Sequence, residues 1–506
     1  ADILFWWEDF MLNEELNVAF PTWLKNDDGS LVEITAPDEY TVVFKYKNPI
    51  TTVPNEIANF DNKDAQTSMF LPSAYLKQFH AKYTDEAKLN EMAKAASFES
   101  WKQLFQNKEL PFRNPDRPVM APWMSVNTIN DPIYHLVRNP YYVAVDTAGQ
   151  QLPYIDELNL VTYQDQKALN MAAIQGQLDS QDRHIVMSNY PTLVKQSEAL
   201  GTYDVRLWTT FAGCDAVVAI NTYCQDLNLR EVLSDQQFRY ALSIAIDRDE
   251  IIESAFLGIG EARQAVPRST HPYYPGDEYA FYGTQFDQQE ANKILDDLGY
   301  VNKDSEGFRL MKNGERISIE ISWTPQFANW GDIAAMVVED WLGIGIQGIA
   351  VERERTNMYT MADANELVAY IWNEDTAGFP FTGQPKFDPR NAWNTGDSFA
   401  IPVRDWVATN GEKGEPPTAD FARIMEIVDQ AKVSGEEEKV KLSHELFQIW
   451  AKGLYEIGIA GLTPMIQGVA VENINLRNVP GDDELGNDWP LRTPGNARTE
   501  QFFFAQ

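Results

Sequence analysis

The sequence is poor in the residues that staple or metallate proteins. It holds two cysteines, Cys214 and Cys224, in 506 residues. They form neither a CxxC pair nor a zinc pattern. Two buried thiols are the simpler expectation; one disulfide closing a short loop is the alternative if the chain is exported. Histidine is sparse too. His80, His135, His184, His271 and His444 stand singly, so no metal-ligand spacing arises, and no metal or other cofactor is expected. Bases are outnumbered, 41 against 75 acids, for a formal charge of −34. Such a charge repels phosphate backbones, so nucleic acid is not an expected partner, and it disfavours docking on anionic membranes through a basic patch. No apolar run nears the ~18–20 residues that cross a bilayer. The most apolar stretch, 344–351, is short and is followed by Glu352, Arg353, Glu354 and Arg355. Fixed-period repeats, low-complexity linkers, a Walker A loop, HExxH and GxSxG are all missing.

One motif present is misleading. Residues 343–348, GIGIQG, match GxGxxG. A dinucleotide site needs a strand before the glycines and a helix after them. Here the periodicity gives a helix first and a strand after, so Gly343 reads as a helix C-cap. Carboxylates are too numerous for any catalytic pair to stand out.

What is present is enough for large cores. Hydrophobic residues make up 44% of a chain long enough for roughly two to four domains. Residues 1–8 (ADILFWWE) read as the start of an amphipathic helix, and 33–46 as a hairpin around Ala-Pro-Asp-Glu. Residues 73–105 read as helical, with Thr84 and Ser97 as N-caps. Strands are expected at 158–163, 217–221, 317–323 and 346–351, and helices at 166–175, 333–342, 419–432 and 436–455. Three capping boxes, at 234–237, 247–250 and 287–290, start further helices, the last ended by Gly299. Residues 464–506 read as mostly irregular. Strands and helices interleave, which is an α/β arrangement in several layers.

Aromatics are abundant at 12%, with 14 Trp, 21 Tyr and 26 Phe. Trp101, Trp341 and Trp450 fall at core spacing. Trp372, Trp393 and Trp406 lie in or beside 373–410, rich in Gly, Pro and Asn, where such spacing is absent. There they serve either as flat faces for a ligand such as a peptide or sugar, or as anchors of a long loop. Residues 367–371 (LVAYI) form an apolar run of the kind expected of a buried strand, ending at Trp372. Ligands of open α/β sheets bind just beyond the carboxyl ends of strands, which marks Trp372, Asn373 and Asp375, with Trp393 further along, as candidate ligand residues.

Seven segments in order resemble one family, the large extracytoplasmic solute-binding proteins of ABC importers, family 5, of dipeptide and oligopeptide type. Residues 1–8 are similar to its "ADDVVFSWE" helix and 41–44 to its "TVVF" strand. Phe70-Leu71-Pro72 with 75–80 (YLKQFH) resembles its "P-x-HYLKQFH" segment. Residues 138–142 and 151–156 (RNPYY and QLPYID) resemble its "RNPYY…QLPYID" element. Residues 176–179 are similar to its "GEID" turn, 238–248 (FRYALSIAIDR) to its "FRQALSLAIDR" helices and 476–480 to its "LRNVP".

The resemblance implies a two-lobed periplasmic-binding-protein fold of type II, large oligopeptide-binding class. Lobe I would be 1–212, lobe II 213–459, with 460–506 returning to lobe I. Hinge crossings would lie near 208–219 and 458–461, and the ligand would sit in the interlobe cleft. Family members carry a segment ahead of the first helix here, which implies that Ala1 is not the mature N-terminus and that lobe I is incomplete. The implied function is capture of a peptide-like solute, or of an oligosaccharide, for delivery to importer permease subunits. The protein would be a monomer, periplasmic or extracytoplasmic, free or lipid-anchored to the cell membrane, and not an enzyme. The rival of another class is a secreted hydrolase with a carboxylate pair. In peptide-binding relatives an Asp shortly after a Trp pairs with the ligand's α-ammonium group. Trp372 and Asp375 keep that Trp-x-x-Asp spacing, but the residues after Asp375 are Thr-Ala-Gly-Phe-Pro in place of the family's Tyr-x-x-Pro.

Overall fold

A computed structural model describes residues 1–17, 19–26, 28–58, 69–325, 328–374, 376–382, 386–392, 400–464, 468–482, 485–486 and 493–505. The chain divides into two compact units. Unit 1 comprises Ala1–Ala168, Asn475–Val479 and Arg498–Gln506, and unit 2 comprises Leu169–Ile474 and Pro480–Ala497.

Unit 1 begins with the expected helix. Asp2–Phe5 runs into a π-helical turn, Trp6–Met11, which buries Trp6, Trp7 and Phe10. These join Trp23, Leu76, Phe79, Leu89, Trp101 and Phe105 in one apolar core. Trp6 stacks on Trp23 with ring centroids 6.4 Å apart. His80 is structural, since its Nε2 bonds Asp9 O at 2.8 Å and its ring packs against Trp101. The hairpin forms as expected from β1 (Glu33–Thr35) and β2 (Val43–Lys45).

The helical stretch at 73–105 is broken rather than continuous, into Ser73–Leu76, Lys77–Phe79, Glu86–Ala95 and Trp101–Lys108. Its caps are Asp85 and Ser100, whose side chains accept from Lys88 N and Gln103 N. Thr84 instead donates its hydroxyl to Lys77 O, and Ser97 takes a left-handed φ of 65° just past a helix end. A three-stranded antiparallel sheet follows, made of β3 (Trp123–Ser125), β4 (Ile133–Arg138) and β5 (Glu157–Val161).

Unit 2 holds β6 (Ser180–Gln181), β7 (Tyr203–Leu207), β8 (Cys214–Ile220), β9 (Ser318–Trp323), β10 (Gln347–Glu352), β11 (Ala369–Glu374), β12 (Glu456–Ala460) and β13 (Val469–Asn473). Five of these make one sheet in the order β10-β9-β11-β8-β12. β9 is parallel to β10 and to β11, while β8 is antiparallel to both β11 and β12. Helices cover the sheet. Trp341 of Trp330–Leu342, Leu242 of Gln236–Ile244 and Trp450 of Glu436–Gly453 pack with Val217, Ile321 and Ile457 in one core.

The caps at Asp247 and Asp287 accept from Glu250 N and Glu290 N as their boxes require, and Gly299 stops its helix at φ 92°. In the first box Asp235, not Ser234, is the cap. Gly343 ends a helix and β10 follows, the reverse of a dinucleotide site. Cys214 and Cys224 are both buried and unbridged.

The stretch 464–506 is mostly irregular as expected among the described residues, with β13 as its longest strand. β13 is the middle strand of a second sheet, β6-β13-β7. Glu472 in β13 is buried and accepts from Ser180 Oγ at 3.0 Å. Burial, with the nearby Asp182 carboxylate adding to it, pushes the Glu472 carboxyl up to about 8. Burial likewise pushes Asp182 up to about 6. A mostly neutral glutamic acid is thereby tolerated inside a strand.

Candidate functional site

The apolar run at 367–371 does become a buried strand, but β11 continues through Trp372, Asn373 and Glu374. These residues therefore stand at the carboxyl end of β11 itself rather than in a loop beyond it. The register slips between Trp372, paired with Val217, and Glu374, paired with Cys214. That irregularity lies at Asn373, and such slips re-aim side chains at the rims of sheets.

Trp372 is 8% exposed. Its ring lies 4.7 Å from that of Trp330 at 36°, and 6.1 Å from that of Tyr359 at 55°. Trp330 opens the helix Trp330–Leu342, and Tyr359 stands on the helix Arg355–Asp363. Two helices and β11 thus contribute one aromatic cluster. The carbonyl of Asn373 accepts from Lys386 Nζ at 3.1 Å.

Glu374 is fully buried. Its carboxylate accepts from Thr376 N at 2.6 Å, Thr376 Oγ1 at 2.7 Å and Ala377 N at 3.1 Å, which ties the chain leaving β11 into a tight turn. Gly213 makes room for that turn. A Cβ there would lie 2.7 Å from Glu374 Oε2 and 2.8 Å from the Ala377 Cβ.

On the neighbouring β8, Asp215 is buried and its Oδ2 accepts from Thr463 N at 2.8 Å. Burial pushes its carboxyl up to about 6, against the hydrogen bond from Thr463. A second aromatic group follows the turn. Phe211 contacts His271 at 5.3 Å and Phe379 at 6.5 Å, and Tyr273 contacts His271 at 4.9 Å and Phe381 at 5.9 Å. Burial holds the His271 imidazole below its ordinary pKa, favouring the neutral ring.

Asp375 and Trp393 lie outside the described residues. Trp406, expected in a loop, stands on the helix Ile401–Ala408. The sequence reading missed Trp330, Tyr359 and the second aromatic group. Trp330 carried a usable signal, since it lies three residues before Ile333 on the same helical face. Chemically the region offers aromatic faces with buried carboxylates and amides, which suits retention of a part-apolar, part-polar solute. Among the described residues no three His, Cys, Asp or Glu side chains gather as a metal site.

A parallel set of strands with one antiparallel member, covered by helices, is the architecture of a periplasmic-type binding protein. Residues 1–385 match the bacterial extracellular solute-binding proteins, family 5 Middle, and the chain belongs to that family. It is similar throughout to the structure of an oligopeptide-binding protein OppA, with 31% identity and a TM-score of 0.76, covering 100% of this chain and 80% of that one. It is also similar to a periplasmic alpha-galactoside-binding protein of Rhizobium meliloti (strain 1021), 26% identical over 337 residues, which is 61% of this chain and 42% of that protein. The fold is shared with the periplasmic binding protein MelB of Agrobacterium fabrum C58 in complex with stachyose, at 19% identity and a TM-score of 0.66, covering 100% of this chain and 72% of that one. The chain spans less than half the length of the curated relatives it matches. No described helix is long and apolar enough to cross a membrane.

Proposed function

We propose that this protein is the substrate-binding component of an ABC importer, capturing a peptide-like solute outside the cytoplasm and delivering it to the permease subunits. The observation that carries this reading is the likeness to an oligopeptide-binding protein over the whole chain. The ligand residues in this reading are Trp372, Asn373, Asp375 and Trp393, with Asp375 pairing with the α-ammonium group of a peptide. The protein acts as a monomer, in the periplasm or tied to the membrane by a lipid anchor, and turns nothing over. Lobes at 1–212 with 460–506 and at 213–459 are part of the same proposal.

A second reading, oligosaccharide capture, is favoured by the alpha-galactoside-binding relative. Native mass spectrometry of protein purified from its host separates the two. Retained masses that match short peptides support the first reading. A series spaced by hexose units selects the second.

A further inference from the structure

The sheet β6-β13-β7 has one face that packing does not account for. Glu472 pairs with Ser180 on one side and with Asp204 on the other, and Ala470 pairs with Arg206. Residues directly opposite one another in antiparallel strands share a face. Ser180, Glu472, Asp204 and Arg206 therefore stand on one face, while Tyr203, Val469 and Val471 stand on the other, in an apolar core. Asp182 follows two residues after Ser180. Asp182 is 6% exposed and Glu472 is 2% exposed. Each keeps one buried oxygen, Asp182 Oδ2 and Glu472 Oε2, that no hydrogen bond reaches among the described residues. An ionised carboxylate left in this way is costly, and a bound proton removes its charge.

The groups around the pair are mixed in sign. Burial raises the Glu472 carboxyl, Ser180 opposes this through its hydrogen bond, the Asp182 charge adds to it and Arg206 opposes it. Asp204 Oδ2 lies 3.8 Å from Arg206 on the same face. Burial raises Asp182, and the Arg183 charge opposes this. His184, next along the chain, is held below its ordinary pKa by burial and by Arg183, so its ring is neutral at pH 7. With carboxyls raised to about 6 and about 8, the pair passes from neutral to ionised across the neutral range, as one coupled unit.

A continuous set of groups joins this pair to the candidate site. Burial holds Arg183 below its ordinary pKa, Asp182 opposes this, and the charge of Arg355 lowers it further. Arg355 donates Nε to Tyr359 OH at 2.8 Å, and the Tyr359 ring lies 6.1 Å from that of Trp372. Protonation removes the acid charge that faces Arg183, whatever else holds that side chain. In a buried setting such a change is weakly screened. The field at the aromatic cluster therefore turns more positive as pH falls.

We propose that Asp182 and Glu472 form a proton-binding site that regulates which solute charge is favoured at Trp372. This rests on the reading that solute is captured at Trp372. Protons from solvent add to the two carboxylates, and the site shifts its preference towards anionic solutes.

Isothermal titration of the whole protein at about pH 5 and about pH 7.5 tests it, across the titration of the pair. The probes are two acid and neutral couples: trialanine with trialanine amide, and trigalacturonate with raffinose. In the couple that binds, preference for the acid should rise roughly threefold to tenfold on acidification. Where only the acid binds, its own dissociation constant should tighten by that factor. Glu472→Gln and Asp182→Asn, each confirmed as folded by melting curves, should lose most of the shift. Loss in one variant alone supports the site and assigns the proton to that carboxyl. A preference that is the same at both pH values overturns the proposal, as does a wild-type shift in both folded variants. An acidic probe that binds at neither pH while its neutral counterpart binds overturns it too. The reading beneath fails separately, when Trp372→Ala leaves every dissociation constant unchanged or when no probe binds at all. Weakening by Trp372→Ala with no effect of pH on preference rejects the proton site alone.

Discussion

β4 in unit 1 and β8 in unit 2 are both central strands, each antiparallel to both of its neighbours. Their ladders are alike and their surroundings are not. All seven residues of β8 are buried, and none of the six in β4 is. No residue of β3 or β5 is buried either. The difference lies in cover. Helices seal the sheet of β8 with Leu242, Trp341 and Trp450, whereas β3, β4 and β5 contribute nothing to an apolar core. Hydrogen-bond pattern alone therefore does not locate stability; the apolar area removed from water does.

The strongest attempt to break this contrast is Trp330→Ala. Trp330 is fully buried in unit 2 and packs on Trp372. Removing it should cost about 3–5 kcal/mol, read as a lowered urea midpoint for unit 2. A loss below about 1 kcal/mol would mean that the helical cover is not what holds the sheet.

The sheet around β13 sharpens the contrast with an intermediate effect, because its buried strand contains an acid. Glu472 and Asp182 bind protons more tightly folded than unfolded, so the native state holds protons that the unfolded chain releases. Stability from this pair is complete below pH 3.8 and is lost as pH rises from there towards 8. Across that window the decline should be roughly 1–4 kcal/mol, and Glu472→Gln should remove most of it. Urea titrations at four pH values check this, and parallel curves for wild type and variant would refute it.

The smallest effect belongs to unit 1. Leu160 in β5 is 51% exposed. Leu160→Ala should change stability by no more than about 0.5 kcal/mol. A larger loss would show that something covers this face in the native protein.

The same contrast explains what was legible in advance. β8 announces itself as Ala216-Val217-Val218-Ala219-Ile220, a continuous apolar run, because both faces are buried. Asp247, Asp287 and Gly299 were readable because caps and stops are local chemistry. β13 was not, because Glu472 interrupts its apolar run and only the burial of its neighbours makes that glutamate tolerable. Ser97 reads as a cap in sequence because a lone serine near a helix end looks the same on either side of it. At the site, Trp372 was marked by the apolar run before it. Tyr359 and Trp330 were not, because they reach Trp372 from helices that sequence order separates.

The two free thiols have a use that follows from their placement. Cys214 and Cys224 both belong to unit 2, and unit 1 has no cysteine. Burial pushes their thiols up to about 12 and about 11, so almost no thiolate exists at neutral pH while the fold is closed. Alkylation must await local opening, and its rate then measures how often that happens. The chain thus carries a native reporter that times the breathing of one unit while the other stays silent.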